Sequence, residues 1–164
     1  MFYFQHINQY APAMKKLFIL SLCFLTFSAI AQKVDSPMYT FSEGIEYKLV
    51  AFNNSKTAGE GNVTYIAKKG TAYKAGWFEF TNTTKEDIEV NFENIFIQDS
   101  KGNKYFANAV AQAMKMTIGK HLSYKLKAGK TKTYMVEFRP PFPKDEFPTL
   151  VVNDKVIELP EPTK

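Results

Sequence analysis

Short segments in which apolar and polar residues alternate make up most of the chain. In "GIEYKLVAF" the apolar side chains Ile45, Tyr47, Leu49 and Ala51 occupy every second position. Because successive side chains of a β-strand point to opposite faces, this spacing predicts a strand with one buried face.

Nine further segments of β-branched and aromatic residues follow, separated by turns rich in Gly, Asn, Asp and Lys. They are "VTYIA", "TAYKAGWFEF", "DIEVNF", "NIFIQD", "NKYF", "LSYKL", "KTYMVEFR", "TLVV" and "KVIEL". Ten short strands with polar turns indicate an all-β protein, either an antiparallel β-sandwich or a barrel. The segment "ANAVAQAMKM", residues 107–116, departs from the pattern. Its Ala, Met, Lys and Gln are good helix formers, so it predicts a short helical insertion.

Two turns are predicted from their residues. Asn153-Asp154 separates two strand segments by two residues that tolerate positive φ, which predicts a hairpin. Residues 99–103, "DSKGN", read as the turn of a second hairpin, with Tyr105 on the returning strand. A calcium loop is the alternative, but it needs oxygen ligands at alternating positions, and Lys101 occupies one of them.

The N-terminal region has the pattern of a secretory leader. From Met14 the chain reads "MKKLFILSLCFLTFSAIAQ", with two lysines, an apolar run and an Ala-Ile-Ala cleavage pattern that predicts cleavage after Ala31. A transmembrane anchor is the alternative, but the run is shorter than the ~20 residues that span a bilayer. Residues 1–13 lack basic character and are interpreted as an upstream extension, so 1–31 is the leader and 32–164 is a single domain. The predicted location is the periplasm or the medium.

Cys23 is the only cysteine and lies inside the apolar run. Lipidation at Cys23 is an alternative to simple cleavage, but Leu22 precedes it where a small residue is expected. Without other cysteines, the predicted mature chain has no disulfide or Cys-ligated zinc. We predict no cofactor and no metal site.

Three segments carry a resemblance to a known family: "GWFEFTN", "NIFIQD" with the turn that follows it, and "LKAGKTKTYMVEF". They resemble the secreted bacterial immunoglobulin-like domains of unknown function found on lipoproteins and exported antigens, over roughly residues 44–159. Ala128 stands where that family usually has proline, and residues 139–148, "RPPFPKDEFP", are longer than its usual turn. The resemblance implies an immunoglobulin-like β-sandwich and offers no catalytic residues to carry over.

The charges are unevenly distributed along the chain. Eight lysines and no acid occur in residues 100–136, whereas residues 79–99 hold six acids and one lysine. Such an asymmetry can steer anionic partners, although a net charge of +5 for the whole chain does not by itself indicate nucleic acid.

Within this basic region, Lys125, Lys127, Lys130 and Lys132 form the candidate partner-binding set, which we name the lysine stripe. Lys125 and Lys127 share one strand parity, opposite to Tyr124 and Leu126. The partner would be an unknown envelope protein or an anionic surface polymer. The alternative is that the lysines protect an exposed strand edge from aggregation.

Trp77 and Tyr73 are the second candidate partner-binding residues. They share one face of a predicted strand with Glu79, which suggests that this face meets solvent. A partly exposed Tyr73/Trp77 pair would suit stacking on a sugar or a partner side chain, and packing in the core is the alternative.

Catalytic chemistry finds little support. His121 is the only histidine after the leader, and Ser123 lies two residues away with no acid between residues 100 and 136. A Ser-His pair without a local carboxylate is a poor relay, and one histidine cannot anchor zinc. We therefore predict an exported non-catalytic binding or structural module of the cell envelope, with a small hydrolase using His121 as the alternative. A purely structural subunit, pairing through exposed sheet edges, also fits.

Overall fold

The computed structural model describes residues 32–34 and 36–159. Fourteen strands form within these residues: β1 (Gln32–Lys33), β2 (Tyr39–Ser42), β3 (Ile45–Ser55), β4 (Thr57–Glu60), β5 (Val63–Ile66), β6 (Thr71–Asn82), β7 (Ile88–Asn91), β8 (Ile95–Gln98), β9 (Lys104–Gln112), β10 (Lys115–Ile118), β11 (Ser123–Leu126), β12 (Thr131–Pro143), β13 (Thr149–Val152) and β14 (Lys155–Ile157). No helix occurs in the part of the chain that the structure describes. The predicted leader, its cleavage site and Cys23 lie outside the described residues.

The fold is an all-β antiparallel sandwich arranged around three long strands. The main sheet has the order β1-β3-β6-β12-β9-β8-β13-β14, with β2 added on β3 and β10 on β9. Every pairing in it is antiparallel. Two separate two-stranded sheets, β7-β11 and β4-β5, accompany it. The strand predictions are therefore confirmed at the level of an antiparallel β-sandwich.

Alternation along the long strands creates the core. Phe78 and Phe80 on β6 are fully buried, as are Tyr134 and Val136 on the neighbouring β12. The β7-β11 sheet covers this face, since Phe92, immediately after β7, packs on Phe80 with ring centroids 5.3 Å apart. Burial of such large side chains is the main favourable contribution to folding. Three residues of the predicted inward set on β3, Ile45, Tyr47 and Leu49, lie in this core, which confirms the strand and its face over that stretch. The expectation is wrong at Ala51, because a register shift after Leu49 places Ala51 opposite Trp77 and brings Phe52 into the core instead.

Two tyrosine hydroxyls in this core have no hydrogen-bond partner among the described residues. They belong to Tyr47 and Tyr134, whose side chains are fully buried. Burial, which disfavours the ionised form, raises the pKa of the Tyr134 hydroxyl to about 12 and that of Tyr47 still further. These hydroxyls are a small departure from the rule that buried polar groups are paired.

The end of β6 is fixed by one buried amide. Asn82 donates from Nδ2 to the carbonyls of Glu86 and Leu126, at 2.7 and 3.1 Å, and accepts from the Thr84 amide through Oδ1 at 2.9 Å. Its own backbone N–H donates to the carbonyl of Lys130. Asn82 therefore joins the loop before β7 to the end of β11 and to the start of β12.

The β4-β5 hairpin stands apart from the main sheet and is held to it by Arg139. The guanidinium contacts Glu60 through Nη1 at 2.9 Å and the Gly59 carbonyl through Nη2 at 3.1 Å, while Nε donates to Glu137 at 2.9 Å. It also lies 5.2 Å from the centroid of the Tyr65 ring. One arginine on β12 thus fastens both strands of the hairpin.

The helical insertion predicted over residues 107–116 is wrong. Those residues belong to β9 and β10, which form a hairpin through the two residues Ala113 and Met114. Helix propensity is a weak preference, and pairing of β9 with β12 on one side overrides it. Ala109 and Val110 are buried in this sheet. The turn was not visible in the sequence because Ala113 has a φ of 51°, a conformation that alanine seldom adopts.

The predicted Asn153-Asp154 hairpin is confirmed. The two residues connect β13 and β14 and have φ values of 49° and 62°. Positive φ at both central positions is the geometry that two-residue hairpins favour, and Asn and Asp tolerate it.

Candidate functional site

The lysine stripe lies at the end of the molecule marked by Asn82. Lys125 and Lys127 point outwards from β11 and from the turn after it, while Tyr124 and Leu126 are buried beneath them. The predicted parity of this strand is therefore confirmed. Lys130 and Lys132 follow after a turn at Gly129, which has a φ of 62°. All four lysines are exposed.

Carboxylates lie directly beside the lysine stripe. β7 pairs with β11 so that Glu89 is opposite Lys125, and the Asp87 carboxylate lies 3.2 Å from Lys125 Nζ. Asp87 also accepts the Ala128 amide at 3.0 Å. That hydrogen bond and then the Lys125 ammonium hold the pKa of the Asp87 carboxyl below its usual value. Acidic and basic blocks that are separate in the sequence are thus neighbours in space.

The edge-protection interpretation of the stripe also has support in the geometry. β11 pairs with β7 alone among the described strands, so its other edge is free. Lysine at such an edge hinders pairing with another chain, because extension of the sheet would desolvate its charge. Binding by the lysine stripe therefore stays a prediction.

Trp77 and Tyr73 differ in exposure, although both lie on β6. Trp77 is 36% exposed, and its indole N–H points at the side-chain amide of Asn53, whose oxygen can accept it at 3.0 Å. Tyr73 is only 6% exposed and packs with Ala58, which lies on β4, and with Ala67, which directly follows β5. The expectation of a partly exposed pair is wrong at Tyr73, because the hairpin covers it. Trp77 alone is available to a partner.

The surroundings of His121 do not assemble a catalytic relay. The His121 amide donates to Glu93 Oε1 at 2.9 Å, and the Ser123 hydroxyl donates to Glu89 Oε1. Two carboxylates have therefore folded towards this turn, but they contact a backbone amide and the hydroxyl. Over residues 32–34 and 36–159, no hydrogen bond joins the imidazole to Ser123 or to either carboxylate.

The turn at residues 99–103 is a hairpin turn, as predicted. It links β8 and β9, and Gly102 has a φ of 81°. Asp99 Oδ1 accepts the amides of Lys101 and Asn103 at 3.0 and 2.8 Å, and Oδ2 accepts the Tyr105 hydroxyl at 2.9 Å. Burial would raise the pKa of the Asp99 carboxyl, but these hydrogen bonds and one from the Asn103 side chain outweigh it, so the pKa is lowered. Both carboxylate oxygens of Asp99 thus accept hydrogen bonds from within the hairpin.

The side chains that could ligate a metal ion are not clustered in the described residues. Among the residues that the structure describes, no group of three or more His, Cys, Asp and Glu side chains is placed to hold a metal ion.

A cavity of about 570 Å³ lies at the opposite end of β6, and sequence reasoning missed it. Its lining comes from the end of β3, the residues around the β4-β5 hairpin, the start of β6 and the end of β12. The lining residues are Asn54, Ser55, Lys56, Ala67, Lys68, Lys69, Gly70, Thr71, Ala72 and Lys144. Four of them are lysines and none of those ten is acidic. Only the Lys-Lys-Gly turn was apparent in the sequence, where it reads as a simple reversal.

One of the two similar solved structures supports the architecture. A 2.2 Å crystal structure of a conserved hypothetical protein from Bacillus anthracis is similar to this chain with a TM-score of 0.54 and 14% identity, over 79% of this chain and 94% of that one. An uncharacterized β-sandwich protein from Clostridium difficile 630 is similar with a TM-score of 0.47 and 17% identity, over 70% of this chain and 81% of that one. No protein-family model and no curated protein matches the chain. At such identities, the likeness to the Bacillus anthracis protein shows the fold alone.

The described residues form no helix that is long and apolar enough to cross a membrane.

Proposed function

We propose that the protein is an exported, non-catalytic binding or structural module of the bacterial cell envelope, built as an immunoglobulin-like sandwich. Its partner is an acidic envelope protein or an anionic surface polymer, which the lysine stripe contacts. The observation that supports this proposal is the continuous exposure of Lys127, Lys130 and Lys132 around one turn. Lysines clustered at one end of a rigid sandwich can contact several negative charges of one partner.

The neighbouring carboxylates do not block such a contact. The ion pair between Lys125 and Asp87 is exposed, with 71% and 37% of the two side chains accessible. Exposed pairs of this kind contribute little to stability and are screened by salt. An anionic partner can therefore replace Asp87 as the counter-charge of Lys125 without disturbing the fold.

The test is association of the protein with its own cell envelope. In a triple variant, Lys127→Glu, Lys130→Glu and Lys132→Glu, we expect association to be lost, because the stripe becomes repulsive to an anionic partner. The matched control is Lys33→Glu, Lys101→Glu and Lys155→Glu, three exposed lysines elsewhere with the same change in net charge. Thermal unfolding of each variant verifies the fold. Unchanged association of the stripe variant, or equal loss in both variants, would contradict the proposal.

A further inference from the structure

We propose that the cavity at the Thr71 end of β6 is a binding site for a phosphate-type oxyanion, independent of the lysine stripe. Its defining feature is the convergence of Lys56, Lys68, Lys69 and Lys144 on one cavity. These lysines come from three separate segments of the chain, so only the folded protein brings them together. A concave site lined by a single sign of charge concentrates anions more strongly than a flat surface with the same charges.

The segments that carry these lysines are fastened to one another by backbone hydrogen bonds. The Ala67 amide donates to the Lys56 carbonyl at 2.9 Å, and the Lys144 amide donates to the Gly70 carbonyl at 3.0 Å. The Lys68 carbonyl accepts both the amide and the hydroxyl of Thr71, at 3.0 and 2.9 Å. Three carbonyl oxygens that would otherwise repel an anion are thus occupied, and the backbone that carries the lysines is held in place before a ligand arrives.

Two further donors lie in the wall of the cavity. The amide groups of Lys69 and Gly70 donate to no other group within residues 32–34 and 36–159. They belong to a turn in which Gly70 has a φ of 83°. Backbone amides at such turns commonly complement the lysine ammonium groups of anion sites.

The acids nearest in the sequence are directed elsewhere. Glu146 follows Lys144 by two residues, but its carboxylate accepts the Ser100 amide at 2.9 Å, and its carbonyl accepts the Lys74 ammonium at 2.9 Å. Asp145 is exposed and is not among the lining residues. None of the salt bridges formed by the described residues involves one of the four cavity lysines, so their charges are not paired before a ligand binds.

The composition of the lining indicates the class of ligand. A volume of about 570 Å³ suits a small molecule or one group of a polymer. The ten lining residues include no aromatic ring, so the cavity offers no platform for stacking a base or a sugar. It also has no arginine, whose planar fork binds carboxylate and phosphate with fixed geometry, so recognition would depend on charge. Lysine ammonium groups act as point charges and suit a compact, multiply charged group such as phosphate.

The experiment follows the Gly70 amide by NMR in protein expressed from the full chain, leader included. Inorganic phosphate and pyrophosphate are titrated against it, with acetate as a control of lower charge. We expect saturable shifts at Gly70 with millimolar phosphate or tighter pyrophosphate, and weaker shifts with acetate. Lys56→Gln, Lys68→Gln, Lys69→Gln and Lys144→Gln together should weaken pyrophosphate binding by about tenfold or more, since each tenfold is only about 1.4 kcal/mol.

The lysine stripe supplies the matched control. The variant Lys125→Gln, Lys127→Gln, Lys130→Gln and Lys132→Gln loses the same net charge, and its pyrophosphate affinity at Gly70 should stay within about twofold of the unmodified protein. Absence of saturable shifts at Gly70, or equal weakening in both variants, would overturn the site. Because the variant Lys127→Glu, Lys130→Glu and Lys132→Glu tests envelope association separately, failure here leaves the proposed function standing.

A second experiment distinguishes a lipid headgroup from a soluble phosphate as the source of the bound oxyanion. Vesicles containing phosphatidylglycerol present the phosphate group as a lipid headgroup. Sedimentation with these vesicles that is lost in the cavity variant and kept in the stripe variant supports the site and assigns it a headgroup. Pyrophosphate binding without vesicle sedimentation supports the site and assigns it a soluble phosphate.

Discussion

The two ends of β6 carry the same number of lysines in opposite surroundings. Asn82 and Thr71 are eleven residues apart on one strand, a separation of about 36 Å. At the Asn82 end, the lysine stripe lies beside Asp87 and Glu89 on a two-stranded sheet. At the Thr71 end, four lysines line a cavity whose lining holds no acid. The comparison teaches that a count of lysines does not identify an anion site, because the neighbouring strand decides which charges remain unbalanced.

The largest expected effect concerns the residue that organises the lysine-stripe end. Asn82→Ala removes the hydrogen bonds that fix the loop before β7, and it removes one donor from the buried Leu126 carbonyl. We expect the free energy of unfolding to fall by about 2 to 4 kcal/mol. Chemical denaturation measures it.

The matched control is Asn54→Ala at the cavity end, where the asparagine is exposed, and its expected change is below about 0.5 kcal/mol. Equal changes in the two variants would show that Asn82 does not hold its end together.

A pH-dependent effect is expected beside the cavity. Lys74 is 2% exposed, and burial lowers its pKa from 10.5 to about 8. The negative charges of Asp145 and Glu146 raise the pKa, but by less than burial lowers it. Between those two values the unfolded chain binds more protons than the folded one, so the free energy of unfolding rises with pH. From neutral pH to about pH 9.5, this contribution should be about 1 to 2 kcal/mol.

Lys74→Met removes the titrating group and serves as the reference. Denaturation of both proteins over the same pH range should give a difference that grows in favour of the unmodified protein. Taking the difference cancels the contribution of groups common to both chains. Parallel pH profiles would contradict the expected pKa.

The hairpin that borders the cavity should loosen in Arg139→Met. The variant loses the contacts to Glu60, Glu137 and the Gly59 carbonyl, two of which fasten β4. We expect amide hydrogen exchange in residues 57–66 to quicken about five- to thirtyfold, the equivalent of 1 to 2 kcal/mol. Exchange in the β13-β14 hairpin of the same variant should stay unchanged. Equal acceleration in both hairpins would indicate global destabilisation instead of local opening.

The smallest effect tests whether the acids balance the lysine stripe. Asp87→Asn keeps the shape that accepts the Ala128 amide but removes the negative charge beside Lys125. Asp154→Asn is the control, with the same change in net charge at a distant turn that tolerates asparagine. On a sulfonated cation-exchange column, the Asp87 variant should elute at higher salt than the control, with thermal unfolding little changed in both. Identical elution would show that the Asp87 charge does not balance that of Lys125.

Local patterns in the sequence predicted the strands well, because alternation reports directly on which face of a strand is buried. The buried positions Ile45, Tyr47 and Leu49 on β3 and the Asn153-Asp154 turn are examples in which the signal lies within a few adjacent residues. The alternation fails at Ala51, where pairing with β6 shifts the register. Residues 107–116 failed because their local preference for helix competes with pairing to β12, which is remote in the sequence. Pairing with a distant strand outweighs local helix propensity, and the sequence of the segment itself does not reveal that pairing.

The site residues were less predictable than the strands, for the same physical reason. Tyr73 has the parity of an exposed residue, yet a hairpin from another part of the chain covers it. The cavity joins residues 54–56, 67–72 and 144, and nothing in the sequence relates Lys144 to Lys56. Charge balance at the lysine stripe likewise depends on the pairing of β7 with β11. Each of these features arises from contacts between distant segments.

The buried hydroxyls of Tyr47 and Tyr134, which have no hydrogen-bond partner among the described residues, should make alkaline unfolding detectable by ultraviolet absorbance. Their pKa values are raised above that of an ordinary tyrosine, so in the native sandwich they resist conversion to the ultraviolet-absorbing phenolate while tyrosines at the surface convert. Unfolded chains ionise these groups near pH 10, and native stability therefore declines as alkalinity increases beyond that point. The surface tyrosines give a first rise in phenolate absorbance as the pH increases. Unfolding of the sandwich in strong alkali should then give an abrupt second rise.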